Sequence, residues 1–388
     1  MSFKYPLATA TWDQAEQDAI QRVIASGMFS MGANVAEFER RFASYVGSKH
    51  CVMVNSGSSA NLLMVAALRY TRNDGLRLEP GDEVIVPAVS WSTTYYPLYQ
   101  YGLRLKFVDI DLHTLNYDLD QLAAAVSDKT RAIMAVNLLG NPNDFDRIRS
   151  IIAGRNIVLM EDNCESMGAE FAGKKAGTYG VMGTFSSFFS HHISTMEGGM
   201  IVTDDEELYH ILLSLRAHGW TRNLPKHNHV CSEKSDDPFK ESFRFVLPGY
   251  NVRPLELEGA LGIEQVKKLP HLIAERRKNG GLMQQTMHDH PELLMQQEIG
   301  ASSWFGFSLV IRPGSAWTRD ELVIKLNKMG FECRPIVAGN FANNEVVKYF
   351  DHEIHGTLAH ADHVDQQGLF IGNHHYPIAE AVALLARI

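Results

Sequence analysis

The sequence predicts an α/β fold with a mainly parallel seven-stranded sheet flanked by helices, followed by a smaller α+β region. Two observations support this prediction. Between residues 50 and 205, short β-branched or aromatic runs alternate with segments of helical periodicity, which is typical of a parallel sheet buried on both faces. After Asn251 the pattern changes to a long helix followed by mixed strand and helix candidates.

Seven apolar runs are the strand candidates of the sheet. In chain order they are HCVMVNS, DEVIVPA, RLKFVDI, RAIMAVNL, NIVLMED, GTFSSF and GMIVTD. The segments SANLLMVAALRY, LDQLAAAVS and DFDRIRSIIAG lie between them and carry apolar residues at helical spacing. Ligands of parallel sheets collect at the carboxyl ends of the strands. The candidate site residues are therefore the polar residues that end these strands.

The C-terminal third begins after a change in composition. Residues 221–248 are polar and contain several prolines, which predicts a long loop, and loops of this length are often functional. The helical pattern that follows contains Pro270, and a proline inside a helix predicts an interruption there. We expect residues 1–255 to form an N-terminal segment and the large domain, and residues 256–388 to form the small domain.

Composition excludes several function classes. The chain has 388 residues and a formal net charge of −9 without a run of lysine and arginine, which argues against nucleic acid as a partner. No stretch resembles a signal peptide or a membrane span. The four cysteines are far apart and form no CxxC pair, so we expect neither a metal nor an iron–sulfur cluster. These features together predict a cytoplasmic protein.

The segment NSGSSANLL at 55–63 follows a strand and begins a helix. Gly57 allows close approach to the backbone, and Ser58 adds a hydroxyl at the helix N-terminus, so the segment suits one phosphate. A simple helix N-cap explains the same residues equally well.

Two further strand ends carry candidate cofactor residues. In NIVLMEDNCESMGA a buried strand ends at Asp162 and is followed by Glu165. A buried carboxylate requires a cation, which a protonated pyridine nitrogen would supply, and an ordinary salt bridge or a helix N-cap is the alternative. In PAVSWSTTYY, Trp91 comes just after a strand end, where its indole either stacks on a flat heterocycle or belongs to the core.

The segment SHHISTMEGG places His191 and His192 shortly before a Gly-rich turn. A histidine in such a segment is usually structural. Beside a phosphate site and ring-binding carboxylates, however, His191 suits the role of a general base.

The order of these motifs resembles that of the sugar aminotransferase/dehydratase family, which has the fold type I architecture of pyridoxal-phosphate enzymes. NSGSSA, EDNCE, SFFSHHISTMEGG and GYNVR match the family's phosphate loop, ring-binding segment, lysine segment and GYNYR motif. The resemblance implies that Asp162 pairs with the pyridine nitrogen and Trp91 stacks on the ring. It also implies that Gly57, Ser58 and Ser186 bind the phosphate, with Asn251 reaching the phosphate in the neighbouring subunit of a homodimer.

The resemblance further implies a set of substrate contacts. They are Met28, Phe29, Ser30, His218, Arg222, Arg253, Glu332 and Arg334. The arginines suit the diphosphate of a nucleotide sugar or the carboxylates of glutamate, because their planar fork of donors binds two oxygens. A surface or structural ion pair is the alternative for each of them.

His191 occupies the position of the family's cofactor-binding lysine, and Glu165 replaces a glutamine. Both departures are typical of the family's 3-dehydratase branch. This branch implies removal of the C3 hydroxyl from GDP-4-keto-6-deoxymannose by pyridoxamine phosphate, with ammonia release and regeneration of the cofactor by L-glutamate. We expect a place in colitose and O-antigen lipopolysaccharide biosynthesis, without an iron–sulfur reductase partner. The alternatives are a C4 aminotransferase of the perosamine type and a catalytically inactive regulator.

Overall fold

The computed structural model describes residues 3–388. Residues 1 and 2, where the predicted large domain begins, lie outside the described range. The α-helices of the described part are α1 Gln14–Ser26, α2 Ala33–Val46, α3 Gly57–Tyr70, α4 Ser92–Gln100, α5 Leu119–Ala125, α6 Phe145–Ile152, α7 Glu206–Leu215, α8 Pro238–Glu241, α9 Glu256–Met287, α10 Arg319–Lys328, α11 Ala359–Gln367 and α12 Ala379–Leu385.

The strands in the same range are β1 His50–Val54, β2 Glu83–Pro87, β3 Arg104–Val108, β4 Thr130–Val136, β5 Val158–Asp162, β6 Glu170–Phe171, β7 Lys174–Lys175, β8 Met182–Ser186, β9 Gly199–Thr203, β10 His227–Asn228, β11 Ser232–Glu233, β12 Leu293–Leu294, β13 Gly306–Ile311, β14 Cys333–Arg334, β15 His352–Ile354 and β16 Gly368–Gly372. Short 3-10 helices cover Leu138–Gly140, Phe341–Asn343 and Glu345–Tyr349.

The large sheet has the strand order β1-β9-β8-β5-β4-β2-β3-β15. Strands β8, β5, β4, β2, β3 and β15 are parallel neighbours, and β9 runs antiparallel to both β8 and β1. All seven strands predicted from the sequence are present, and the mainly parallel α/β architecture is confirmed. The short strand β15, which the sequence did not reveal, adds an eighth strand at one edge.

Both faces of the sheet are buried. Successive strand residues point to opposite sides of the sheet, and each set enters an apolar core. In β2, Val84 and Val86 join the core formed with α3, α4 and α7, whereas Ile85 joins a separate core with α5 and α6. A third apolar core joins α2 and α9 to β1 and β9. This packing explains why the strands read as nearly continuous apolar runs.

The C-terminal region contains a four-stranded sheet in the order β12-β13-β16-β14. The predicted interruption at Pro270 is wrong, because α9 continues from Glu256 to Met287. Leu269 and Leu272 on either side of Pro270 belong to the same apolar core, and this packing offsets the hydrogen bond that proline cannot donate. The division at residue 255/256 stays a prediction, and β15 shows that the C-terminal region also contributes to the large sheet.

The polar segment 221–248 contains only short regular elements, namely β10, β11 and α8. It lies largely on the surface, as predicted for a long loop. Within residues 3–388, no helix combines the length and the apolar character that crossing a bilayer requires.

Candidate active site

A cavity of about 560 Å³ opens beside the carboxyl ends of β5 and β8. It brings together eight of the residues predicted from the sequence, although they are far apart in the chain. These residues are Gly57, Ser58, Trp91, Asp162, Glu165, Ser186, His191 and Arg334. The location agrees with the rule that ligands of parallel sheets bind beyond the carboxyl ends of the strands.

The N-terminus of α3 forms one end of this site. Ser56 is the N-cap, and its Oγ accepts a hydrogen bond from the Ser59 amide at 3.1 Å. The capping role therefore belongs to Ser56, and Ser58 lines the cavity with its hydroxyl 3.2 Å from Thr93 Oγ1. A Cβ on Gly57 would lie 2.7 Å from the Cβ of Ser186, so only glycine fits here. Amides and hydroxyls at a helix N-terminus fit a phosphate group.

Asp162 ends β5 and is almost completely buried, with 5% exposure. Its Oδ2 accepts hydrogen bonds from Asn61 Nδ2 and Thr94 Oγ1, both at 2.8 Å. Its Oδ1 accepts one from the Cys164 amide at 3.1 Å. Among residues 3–388, no lysine or arginine pairs with this carboxylate, which argues against the salt-bridge alternative. A carboxylate oriented in this way fits a cationic ring nitrogen supplied by a ligand.

Trp91 and Glu165 line the same cavity. Trp91 is 56% exposed, so its indole is not part of the core and is open to stacking on a flat ring. The Glu165 Oε2 accepts a hydrogen bond from the Leu139 amide at 3.1 Å. Burial raises the pKa of Glu165 to about 7, which favours the protonated form of this carboxyl group far more than in an exposed glutamate.

His191 lies in the turn that follows β8 and faces the cavity. Its imidazole lies 5.2 Å from the Phe305 ring, and its Nδ1 is buried without a hydrogen-bond partner. Burial, assisted by Arg276, lowers the pKa of His191 to about 4. The imidazole is therefore neutral at pH 7 and able to accept a proton.

His192 points away from the cavity, although it is adjacent in sequence. It is fully buried, and its Nε2 donates to the Ser303 carbonyl at 3.2 Å. None of the described residues that line the cavity is a lysine. His191 thus faces the cavity, whereas His192 is hydrogen-bonded to the backbone of Ser303.

These residues fit a pyridoxal-type cofactor on structural grounds. The cavity offers a helix N-terminus for a phosphate, a buried carboxylate for the ring nitrogen and an exposed indole for stacking. It lacks the primary amine that would hold an aldehyde covalently.

The other eight predicted residues lie outside the cavity lining, and four of them surround Trp220. The centroid of its ring lies 4.9 Å from the His218 ring, 4.6 Å from the Arg222 guanidinium and 5.9 Å from that of Arg253. Arg253 Nε also donates to Asn251 Oδ1 at 3.0 Å. We call these five residues the Trp220 cluster. Asn251 and Arg222 are exposed, and the two arginines have no carboxylate partner among the described residues.

Three predicted contacts lie next to the start of α9. Met28 and Phe29 are 64% and 52% exposed, and Ser30 pairs with Leu255 in a short bridge. The Glu256 amide donates to the Phe29 carbonyl at 3.0 Å, which places this segment beside the start of α9. None of the three residues belongs to the cavity lining.

Glu332 also lies outside the cavity lining. Its Oε2 accepts a hydrogen bond from the Leu7 amide at 3.0 Å, and its Oε1 lies 3.5 Å from Arg334 Nη2. Glu332 is thus placed to orient Arg334, which lines the cavity.

Sequence reasoning missed several residues of this site. Asn61 and Thr94 hold Asp162, and both lie within quoted motifs, four and three residues after Gly57 and Trp91. Phe305 and Arg276 come from the C-terminal region, more than 80 residues after His191. No local pattern connects them with the site, because only the tertiary fold brings them together.

Comparisons with known proteins agree with this geometry. The profile of the DegT/DnrJ/EryC1/StrS aminotransferase family matches residues 10–383. The GDP-4-keto-6-deoxy-D-mannose 3-dehydratase of Yersinia pseudotuberculosis is 61% identical over 385 residues, which cover 99% of this chain and 98% of that protein.

Two solved structures extend the likeness to three dimensions. The Escherichia coli GDP-4-keto-6-deoxy-D-mannose-3-dehydratase with bound hydrated pyridoxal phosphate has a TM-score of 0.98 at 60% identity, covering 100% and 99% of the two chains. A GDP-4-keto-6-deoxymannose-3-dehydratase with a trapped pyridoxal phosphate–glutamate geminal diamine has a TM-score of 0.97 at 61% identity, covering 99% of each chain. The fold type I architecture is thereby confirmed. The chain belongs to the DegT/DnrJ/EryC1/StrS aminotransferase family.

Proposed function

We propose that this chain is a pyridoxamine phosphate-dependent 3-dehydratase acting on GDP-4-keto-6-deoxy-D-mannose. The observation that carries the proposal is the cavity itself, which presents the neutral imidazole of His191 beside an intact cofactor site. Relatives that are 61% identical over nearly the whole chain bear the name of this dehydratase. One of their structures contains a glutamate adduct of pyridoxal phosphate, which supports L-glutamate as the amino donor.

Pyridoxamine phosphate supplies an amine that condenses with the C4 ketone of the sugar and a ring that accepts an electron pair. Asp162 binds the protonated ring nitrogen and keeps the ring electron-poor. Trp91 stacks on the ring face, while Gly57, Ser58 and Ser186 bind the phosphate. These contacts would hold the cofactor in the cavity that His191 also lines.

His191 moves the protons of the reaction. Its neutral imidazole accepts a proton from the C4′ carbon of the cofactor and then donates it to the departing C3 hydroxyl. Hydrolysis releases ammonia and GDP-4-keto-3,6-dideoxymannose, and L-glutamate restores the amine while becoming 2-oxoglutarate. Because an imidazole cannot bond covalently to the cofactor aldehyde as lysine does, the cofactor is held by its non-covalent contacts alone.

The Trp220 cluster serves the substrate in the cavity of a second subunit. Its two arginines have no carboxylate partner among the described residues, as expected if their partner is a diphosphate or a carboxylate. Asn251 is exposed beside Arg253 and is placed to reach the cofactor phosphate of that subunit. We therefore propose a homodimer with shared active sites, together with Met28, Phe29, Ser30, Glu332 and Arg334 as the remaining substrate contacts.

Shared sites are tested by co-expressing two impaired variants, His191→Asn and Arg222→Ala/Arg253→Ala. Random pairing places both substitutions in one site of each mixed dimer and leaves the other site intact, which restores about one quarter of the wild-type sites. The same variants purified separately and mixed without subunit exchange are the control. Activity no higher than the sum of the two variants would contradict shared sites.

One assay tests the reaction. The protein is incubated with GDP-4-keto-6-deoxymannose, pyridoxal phosphate and L-glutamate, and the products are identified by mass spectrometry. We expect a 3-deoxy-4-keto sugar, ammonia and 2-oxoglutarate. A 4-amino sugar would establish the aminotransferase alternative, and the absence of turnover with related nucleotide sugars would favour the regulator. A cytoplasmic place in colitose and O-antigen lipopolysaccharide biosynthesis follows from this product as a proposal.

A further inference from the structure

Arg276 is a buried cation without a counter-ion. It belongs to α9 and is only 4% exposed. Its Nη1 donates to three backbone carbonyls, those of Trp304 at 3.4 Å, Phe305 at 3.1 Å and Asn373 at 2.9 Å. Its Nε has no hydrogen-bond partner, and no carboxylate of residues 3–388 pairs with it. A buried charge usually has such a partner, because an unpaired one is destabilising. The presence of a guanidinium here therefore has to be explained by what Arg276 does for its neighbours.

Two of these carbonyls, those of Trp304 and Phe305, belong to the segment 303–305. We call this segment the Phe305 wall, because its Phe305 ring packs beside the two histidines. The Phe305 ring lies 5.2 Å from the His191 ring and 5.7 Å from the His192 ring. His192 Nε2 donates to the carbonyl of Ser303 in the same segment. The guanidinium therefore fixes the backbone of residues 304 and 305, and the Phe305 ring on this backbone supports the His191 ring.

We propose that Arg276 is a positioning residue, which holds the Phe305 wall against His191 and is the buried positive charge of that wall. The inference deepens the proposed function, because it rests on His191 as the proton carrier. It assigns to α9 a role in the chemistry that no residue of the cavity lining reveals.

Several ionisable groups surround His191, and they come from four parts of the fold. They are Arg276 on α9, Arg334 on β14, Asp162 and Glu165 after β5, and His192 and Glu197 in the segment of His191 itself. Burial and Arg276 lower the pKa of His191, in that order, and the Phe188 carbonyl opposes them. None of the carboxylates forms an ion pair with His191. A carboxylate partner is what would favour the imidazolium form.

The pKa of His191 in the pyridoxamine phosphate-loaded protein is the direct readout. Histidine labelled with carbon-13 is titrated by NMR, and the His191 signal is the one that His191→Asn removes. In the unmodified protein we expect a midpoint well below the ordinary histidine value of about 6.5. Arg276→Met removes the charge and should raise the midpoint by about one pH unit or more. Arg276→Lys keeps the charge and should leave it within about half a unit of the original.

Arg277 supplies the matched control. It is the next residue of α9 and holds the same loop, since its guanidinium donates to the Ser302 carbonyl at 3.0 Å and the Gly168 carbonyl at 2.9 Å. It is not among the groups that shift the pKa of His191. Arg277→Met should therefore lower the melting temperature but leave the His191 midpoint unchanged. A purely structural role for Arg276 predicts the same behaviour for both methionine variants.

Three results would overturn the inference. One is an ordinary histidine midpoint near 6.5 in the unmodified protein. Another is an unchanged midpoint in folded Arg276→Met. The third is a rise of the His191 midpoint by about one unit or more in Arg276→Lys. This result would overturn the inference even if Arg276→Met does not fold. None of these measurements uses turnover, so failure of the proposed dehydration would be seen separately, in the product assay.

Discussion

The cavity around His191 and the Trp220 cluster differ in how complete they are within one chain. In the cavity, Asp162 is buried, and both of its oxygens accept hydrogen bonds from the same chain. In the cluster, Arg222 and Asn251 are exposed, and the arginines contact an indole rather than a carboxylate. The first region is preorganised before a ligand arrives. The second offers cations whose anionic partner must come from elsewhere.

This difference separates two tasks. Positioning a reacting group requires rigid neighbours, which the burial of Asp162 and the wall of Phe305 provide. Binding a charged, soluble substrate requires cations that remain accessible until the substrate arrives. If this division holds, substitutions in the cavity lower kcat or cofactor affinity, whereas substitutions in the cluster raise KM.

The largest effect is expected for His191→Asn. Asparagine keeps a polar side chain but cannot accept and return a proton, so kcat should fall by about 10²- to 10⁴-fold. The control is His192→Asn, which changes the neighbouring histidine that faces the wall. It should lower the melting temperature and change kcat only slightly. Equal losses of kcat in the two variants would break the distinction between the histidines.

Asp162→Asn comes next. Asparagine removes the charge that we propose pairs with the ring nitrogen, and loss of one partner of a buried pair costs about 3–5 kcal/mol. Cofactor affinity, measured by fluorescence titration, should therefore fall at least about 100-fold. Thr94→Val, which removes one hydrogen bond to Asp162, should have a smaller effect, and Thr94→Ser should preserve the affinity. An unchanged affinity in Asp162→Asn would show that this carboxylate does not bind the ring.

Arg253→Ala should act on substrate binding. Loss of a charge-assisted contact to an anion costs about 1.5–3 kcal/mol, so steady-state kinetics should show KM rising about 10- to 100-fold with little change in kcat. Cofactor affinity serves as the internal control and should not change. A fall in kcat with constant KM would place Arg253 in the chemistry and remove the contrast between the two regions.

The smallest effect concerns stability in acid. Burial lowers the pKa of His191 and of His374 to about 4, whereas an unfolded histidine titrates near 6.5. Between these values the unfolded chain binds more protons, so the free energy of unfolding falls as the pH drops from about 6.5 to 4. Chemical denaturation at several pH values measures this slope, and His374→Gln should make it shallower. A slope unaffected by this substitution would exclude His374 as a contributor.

The sequence predicted the elements that follow local rules. All seven strands of the large sheet and the cavity residues from Gly57 to His191 lie where apolar runs end in polar residues. Strand β15 is only three residues long and pairs with β3 across more than 240 positions, so no local pattern reveals it. Pro270 shows the opposite limit, because tertiary packing overrides its local preference.

His191→Lys tests the central claim most directly. In the proposed reaction this imidazole cannot bond to the cofactor and serves only as an acid and a base. The introduced amine should bond covalently to the cofactor aldehyde, which shifts the visible absorbance of the loaded protein, and most dehydration should be lost. An unshifted spectrum together with full dehydratase turnover would contradict the assignment of His191.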